Sequence, residues 1–390
     1  MNRRNRRQAH ATESPRARRI REATEREAML RARGTDSSSR AARRTARRPR
    51  RWKRNLIGLL LIVLLVTGTA GWLLWTKVAA FNDAVSSAPS LSSSLFSPLM
   101  GSERVNVAMY GYGGPEHGGG MYLADSINIL SIDPKTDTTT MIPIPRDLWV
   151  QGLPEIPDNA KINEAFADGF VSGGVSEAGR FATQVLSKIT GLPIQHWMAI
   201  DFTGFKAMVD AAGGVTVDSP VAFAYTWSEP NYHAGIWDGG SFPAGPIFLD
   251  GTHALDYART RYTSVPTESS DFARSVRQQQ VLSALRGKLG GGGIGSLGPG
   301  LAMMDALKGK MATDLSAIDL YLLSGHFGAD RRIELSEGVI LQATSNSIGQ
   351  YILVVIGRSN GEDYAPLHAY LQAELTRPLP SPVPSASAAP

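Results

Sequence analysis

Cysteine is absent from all 390 residues. That excludes disulfides, a thiol nucleophile and Cys-ligated zinc. The first 54 residues are short of aliphatic side chains and rich in arginine, serine, threonine and alanine. Such a segment buries too little apolar surface to offset its ordering entropy, so a disordered basic tail is expected over 1–54. A net positive charge is missing from the rest of the chain. Residues 1–54 hold 20 Lys+Arg against 5 Asp+Glu, a net of +15, so a total of +5 leaves −10 for the other 336. The basicity belongs to the tail, and no nucleic-acid partner is expected for the folded part. The glycines of 111–120 lack the Gly-Lys-Ser/Thr ending of a phosphate-binding P-loop. No Ser-His-Asp set suggests a hydrolytic triad.

What the chain does contain is one long charge-free run, Leu56 to Trp75. Twenty residues at ~1.5 Å each span a hydrocarbon core of about 30 Å. Trp52, Trp72 and Trp75 sit near its ends, and Arg51, Lys53 and Arg54 flank it on one side against Lys77 on the other. A single transmembrane helix over 55–78 is expected, N-terminus cytoplasmic and the remainder extracytoplasmic. A linker follows over 79–103, then a folded domain over 104–376, with a Pro/Ser/Ala tail at 377–390.

Within the domain, apolar runs predict strands at Val105–Met109, Ile127–Ile132, Thr138–Ile144, His196–Ile200, Val215–Asp218, 331–336 and Tyr351–Ile356. Helical spacing predicts helices at Ser176–Thr190, Phe202–Ala212, 301–310, 314–325 with Asp314 as N-cap, and 362–375. Residues 219–248 read as a long surface loop. Alternating strands and helices with one tight hairpin predict an α/β fold, a central mixed β-sheet flanked by helices.

The stretch 254–285, ALDYARTRYTSVPTESSDFARSVRQQQVLSAL, holds the densest candidate chemistry. Arg259 and Arg261 are two apart, on one face if the run is extended. Asp271 is a candidate N-cap of a helix whose Phe272, Val276, Leu282 and Leu285 would form the buried side. Arg274 and Gln278 share a face of that helix, with Arg277 beside it. Guanidinium forks suit phosphate oxygens, so a polyanion pocket is one reading. The other is a set of surface arginines paired with acids such as Glu268. Upstream, Arg146 and Asp147 end a strand, and Lys161 and Asn163 follow.

The segments ADSINILSIDPKT, IPRDLWV, KINEAF, FTGFKAMVDAAGGVTVD, LDGTHALDYARTRY and SDFARSVRQQQ, in that order, resemble the LytR-CpsA-Psr proteins of bacterial cell envelopes. The resemblance runs from about Val105 to Glu374, with its core motifs in 105–289. It implies a membrane-anchored phosphotransferase that holds a polyprenyl chain in an apolar tunnel. Such an enzyme moves a glycopolymer from a polyprenyl-pyrophosphate carrier onto a cell-wall hydroxyl, usually on peptidoglycan. It implies pyrophosphate contacts from Arg146, Arg259, Arg261, Arg274 and Gln278, and a Mg²⁺-linked carboxylate in Asp125. Two positions depart from the family pattern: Gly113 stands where many members have a second metal-linked Asp, and Leu123 where many have Arg. Glu116 and His117 in the glycine loop are further metal-ligand candidates. Asp147 and Asp271 are candidate bases for the attacking hydroxyl. A non-catalytic carrier-binding or scaffold protein is the alternative that the two departures suggest.

Overall fold

Along the first long strand, alternate side chains leave for opposite faces, and both faces are buried. Val107 and Met109 enter one apolar cluster, Ala108 and Tyr110 another. A strand covered on both sides reads as a continuous apolar run, as this one does. It is the centre of the sheet on which the computed structural model is built. That structure describes residues 51–85, 103–118, 120–289 and 294–378. Residues 1–50 of the basic tail expected over 1–54, residues 86–102 and the tail from 379 lie outside the described residues, whereas 51–54 are helical, not disordered.

Short strands and turns apart, the main elements are α1 Arg51–Val85, β1 Val105–Tyr112, β2 Ala124–Asp133, β3 Thr138–Pro143, α2 Ile162–Thr190, β4 His196–Asp201, α3 Phe202–Ala211 and β5 Val215–Ser219. There follow β6 Phe223–Thr226, β7 Gly240–Phe242, β8 Gly245–Leu249, α4 Gly251–Arg259, α5 Asp271–Leu289, α6 Ile294–Leu307 and β9 Met311–Thr313. The last are α7 Ala317–Ser324, β10 Arg331–Arg332, β11 Leu341–Ser345, β12 Tyr351–Val355 and α8 Ala365–Thr376.

The main sheet has the order β9-β4-β1-β2-β3-β10. β1 is antiparallel to β2 and parallel to β4, and β10 is parallel to β3. The sheet is therefore mixed, as expected. α2 and α8 cover one face through Phe166, Phe170, Leu367 and Leu371. The region of α7 covers the other through Leu315, Leu323 and Phe327. α2 begins fourteen residues earlier than expected, at Ile162, and carries a break at Gly173–Gly174, where Gly174 has φ 78°. That break split the helical periodicity and hid its first half.

Several expectations are corrected. Arg259 does not lie in a strand. Asp250 caps α4 by accepting from the His253 amide at 2.8 Å, and Ala254, Tyr257 and Ala258 form its buried stripe. Arg259 is the last helical residue and Arg261 lies two residues beyond it. The N-cap of α5 is Ser270, whose hydroxyl accepts from the Ala273 amide at 3.1 Å, so Asp271 is the first helical residue. Phe272 is 52% exposed; Leu285 is buried as expected, and the other buried positions of α5 are Ala273, Arg274, Arg277 and Val281. Ser316, not Asp314, caps α7; Asp314 instead accepts from the Trp197 amide at 2.9 Å. Residues 219–248 contain three strands, with Phe223, Tyr225 and Phe242 buried.

Helix α1 is long and apolar enough to cross a membrane, with its candidate span at Leu56–Val85. It runs straight through 79–85, where a linker was expected, and ends packed on the domain: Phe81 and Val85 are buried among Met208, Met311 and Ala317.

Candidate functional site: an arginine cluster over an apolar cavity

The site forms where β1 and β2 end. Gly111 pairs with Ser126 and Tyr112 with Ala124, so Asp125 is the unpaired residue of a β-bulge. A bulge of this kind re-aims a side chain. Here the Asp125 carboxylate meets the Arg146 guanidinium. Arg146 follows β3 at the same end of the sheet. Its Nε lies 3.7 Å from Asp147 and has no hydrogen-bond partner. Asp147 accepts from Lys161 at 2.5 Å. The Ile162 amide donates to the Leu148 carbonyl at 2.8 Å, and the Asn163 amide to the Arg146 carbonyl at 3.4 Å. Lys161 and Asn163 thus tie the start of α2 to the Arg146 segment.

The second half comes from α4 and α5. Arg261 donates to Asp271 at 2.7 Å, and Arg274 lies 3.3 Å from the same oxygen. Arg274 is buried, and that ion pair is its contact with an acid. Burial lowers its pKa to about 10, with Asp271 pulling the other way and Arg261 and Arg146 adding repulsion. It stays charged at neutral pH. Arg261 is lowered by burial and raised by Asp271, with a net rise. Burial raises the Asp271 pKa, but Arg274 and Arg261 outweigh it and hold the carboxyl below the usual range. The Arg259 side chain makes no hydrogen bond or ion pair among the described residues. Its guanidinium carbon stacks 3.9 Å from the centroid of Phe202 and 5.4 Å from that of Trp227. Burial lowers its pKa, against Asp125 and Asp256.

Gln278 closes the group. Its Oε1 accepts from the Ser126 hydroxyl at 2.9 Å, and its Nε2 donates to the Ala258 carbonyl at 3.3 Å. Asn128 donates to Ser126 at 3.0 Å. Ser126 and Asn128 were missed as site residues, although their spacing of two on β2 places both on one face.

Five of the sequence-derived residues therefore converge: Arg146, Arg261, Arg274, Asp125 and Asp271 share one electrostatic neighbourhood, joined by Arg259 and Gln278. Arg277 does not join them. It is 2% exposed and donates to the carbonyls of Tyr257, Thr260 and Glu268 and to the Glu268 carboxylate at 2.6 Å. For this arginine, pairing with Glu268 is the correct reading, and its task is to hold the 257–268 loop.

Beneath the cluster lies a cavity of about 490 Å³. Ser126, Asn128, Arg259 and Gln278 are among its polar lining, and Met198, Phe205, Leu282 and Met304 are among its many apolar residues. Asp201 also faces it. One Asp201 oxygen accepts from the Gly204 amide and the Thr203 hydroxyl, both at 2.7 Å, which caps α3.

The family model for LytR_cpsA_psr matches residues 76–355. The chain belongs to the LytR-CpsA-Psr family. A relative from Oceanobacillus iheyensis, named polyisoprenyl-teichoic acid–peptidoglycan teichoic acid transferase TagU, is 29% identical over 335 residues. That match takes in 83% of this chain and 97% of the relative. TagU of Bacillus subtilis is 27% identical over 297 residues, 75% of this chain and 89% of its own. The crystal structure of Bacillus subtilis TagV superposes with a TM-score of 0.51 at 22% identity, over 70% of this chain and 96% of that one. This last likeness bears on the fold.

As for a metal, Asp125 offers one carboxylate at the cluster. No group of three or more His, Cys, Asp or Glu gathers among the described residues. Mg²⁺ is usually held by one or two carboxylates with phosphate oxygens and water completing the shell, so a single Asp fits when pyrophosphate is present. Glu116 is exposed at the loop tip. His117 packs its ring 5.2 Å from that of Phe202, and burial, helped by Arg259, lowers its pKa. An imidazole is a poor magnesium ligand, so of the three candidates Asp125 fits best.

Proposed function

We propose that this protein is a membrane-anchored transferase that moves a glycopolymer phosphate from a polyprenyl-pyrophosphate carrier to a hydroxyl of peptidoglycan. The observation that carries the reading is the junction of two unlike environments. Arg259 and Gln278 belong both to a cluster of half-buried and buried guanidiniums and to the wall of an apolar cavity. A ligand with a polyanionic head on an isoprenoid tail matches both. Arg51, Lys53, Arg54 and the basic tail precede the span, against Lys77 on its other side, so the tail is assigned to the cytoplasmic side and the domain to the outer face.

Arg146, Arg261 and Arg274 would bind the pyrophosphate oxygens, and Arg259, stacked on Phe202, would fix the phosphate nearest the cavity. The acceptor oxygen attacks the glycan-linked phosphorus. The bond from that phosphorus to the bridging oxygen breaks, and polyprenyl phosphate leaves with the electron pair. Little covalent chemistry is asked of the protein, because phosphoryl transfer is mostly positioning and neutralisation of charge. When bound at Asp125, Mg²⁺ would add charge neutralisation at the phosphate oxygens. Asp271, with its lowered pKa, is a weak proton acceptor at neutral pH and acts as a positioning residue for Arg261 and Arg274. Asp147, shared between Lys161 and Arg146, is the remaining candidate for the hydroxyl proton.

The test is turnover by the full chain in detergent or vesicles, given a polyprenyl-pyrophosphate glycan, peptidoglycan fragments and Mg²⁺. Glycan–peptidoglycan conjugate and free polyprenyl phosphate should form in equal amounts. Tight carrier binding with no conjugate, under conditions where a family transferase is active, would instead favour the scaffold alternative that Gly113 and Leu123 suggest.

A further inference from the structure

Leu74, Val78 and Phe81 of α1 line the same cavity as Arg259 and Gln278. Their spacings of four and three put them on one face of the helix, over a length of about 10 Å at ~1.5 Å per residue. All three lie within the apolar segment Leu56–Val85, yet Leu74 is 41% exposed whereas Phe81 is 1% exposed in the domain core. One helix face therefore runs from the span into the domain without interruption.

That face is fixed in place. Lys77 forms an ion pair with Asp305 of α6. The Asn82 side-chain oxygen accepts from the Ala317 amide at 2.8 Å, at the first turn of α7. Val85 is buried one turn beyond Phe81. The helix is thus built into the cavity wall and is more than a tether.

We propose that α1 is part of the carrier-binding site. The isoprenoid tail slides laterally out of the bilayer along Leu74, Val78 and Phe81, and its far end remains in the hydrocarbon past Leu74 while the head reaches the arginines. This rests on the proposed carrier and adds its route. The physical reason is continuity of apolar cover. Each methylene drawn through water costs burial free energy, and a tail guided along this face stays out of water throughout.

The test is site-specific photo-crosslinking in the full chain, embedded in vesicles that contain polyprenyl pyrophosphate as a minor component. A photoreactive residue is placed singly at Leu74, Val78, Ala80 or Leu282. Leu282 lines the cavity from α5, and Ala80 is exposed on another side of α1. Isoprenoid adducts, separated from phospholipid adducts by mass, should form at Leu74, Val78 and Leu282. They should exceed those at Ala80 by about tenfold, the ratio that corresponds to ~1.4 kcal/mol of preference. Leu74 is exposed enough that its replacement leaves the core intact, so the test survives if the Val78 variant folds poorly. Adducts at Leu282 with none at Leu74 and Val78 would overturn this route and leave the carrier assignment standing. Equal adducts at Ala80 would also overturn it. Adducts at none of the four would remove the carrier assignment as well.

Discussion

Arg261 and Arg274 meet at one oxygen of Asp271, at 2.7 and 3.3 Å. Two guanidiniums that arrive from different elements are thereby held side by side by a single acid. With Arg146, Arg259 and Lys161 they make five cations near three carboxylates, Asp125, Asp147 and Asp271. The excess of positive charge is what a pyrophosphate would neutralise.

Arg274→Ala should weaken head-group binding or transfer by about ten- to a hundred-fold, since a charged hydrogen bond is worth roughly 1.5–3 kcal/mol. Arg261→Ala should act in the same direction. Melting temperature of the empty Arg274→Ala protein should hold or rise, because burial and repulsion already oppose this charge. Arg274→Lys should rescue only in part, for want of the two-pronged geometry. Pyrophosphate-carrier titration beside a thermal melt gives both readings, and a lower melting temperature with unchanged binding would contradict the assignment.

Arg277→Ala should behave in the opposite way. It leaves the Glu268 carboxylate and three carbonyls without their donor, a loss of about 3–5 kcal/mol for a broken buried pair. The expected result is a clearly lower melting temperature, with carrier affinity kept in the fraction that remains folded. Denaturant unfolding measures the first and a binding assay the second.

Asp125→Ala should abolish the Mg²⁺ dependence of transfer while the melting temperature stays nearly constant. Its ion pair with Arg146 is partly exposed, and such pairs contribute about 0–1 kcal/mol. A Mg²⁺ titration of turnover is the measurement. An unchanged Mg²⁺ requirement would move the metal away from Asp125.

Acid should loosen the α4–α5 side of the site through Asp271. Its folded pKa lies below the unfolded value of ~3.9, so its stabilising contribution is full above that value. The contribution is lost as pH falls below ~4 and through the folded pKa. Asp271→Asn should remove this part of the acid dependence and lower turnover by misplacing Arg261. Comparing unfolding midpoints at neutral and acid pH for both proteins checks it.

Protease added to intact spheroplasts should digest the domain and spare the basic tail. The flanking charges around Leu56–Trp75 set this expectation. Protection of the domain would reverse the proposed topology.

The long apolar helix, the main strands, the mixed sheet and the types of residue at the candidate site were legible in the sequence, because each depends on local composition or on a period of two or 3.6. The convergence of Arg146 with Arg274 was legible only through resemblance, since no local pattern links residues so far apart. Tertiary structure decided the rest. Arg259 and Arg261 leave a helix end, because Asp250 and the Ala254–Tyr257–Ala258 stripe outweigh the extended look of Arg-Thr-Arg. Asp125 faces Arg146 because a bulge opposite Gly111 and Tyr112 leaves it unpaired, and a register shift cannot be read from one strand alone. Arg277 belongs to the 257–268 loop and not to the cluster, because the acceptors it can reach are set by the packing of α4 against α5. The same holds for Val78. Its apolar side chain suits a membrane span or a cavity wall equally, and only the docking of α1 on residues more than two hundred positions away makes it the second.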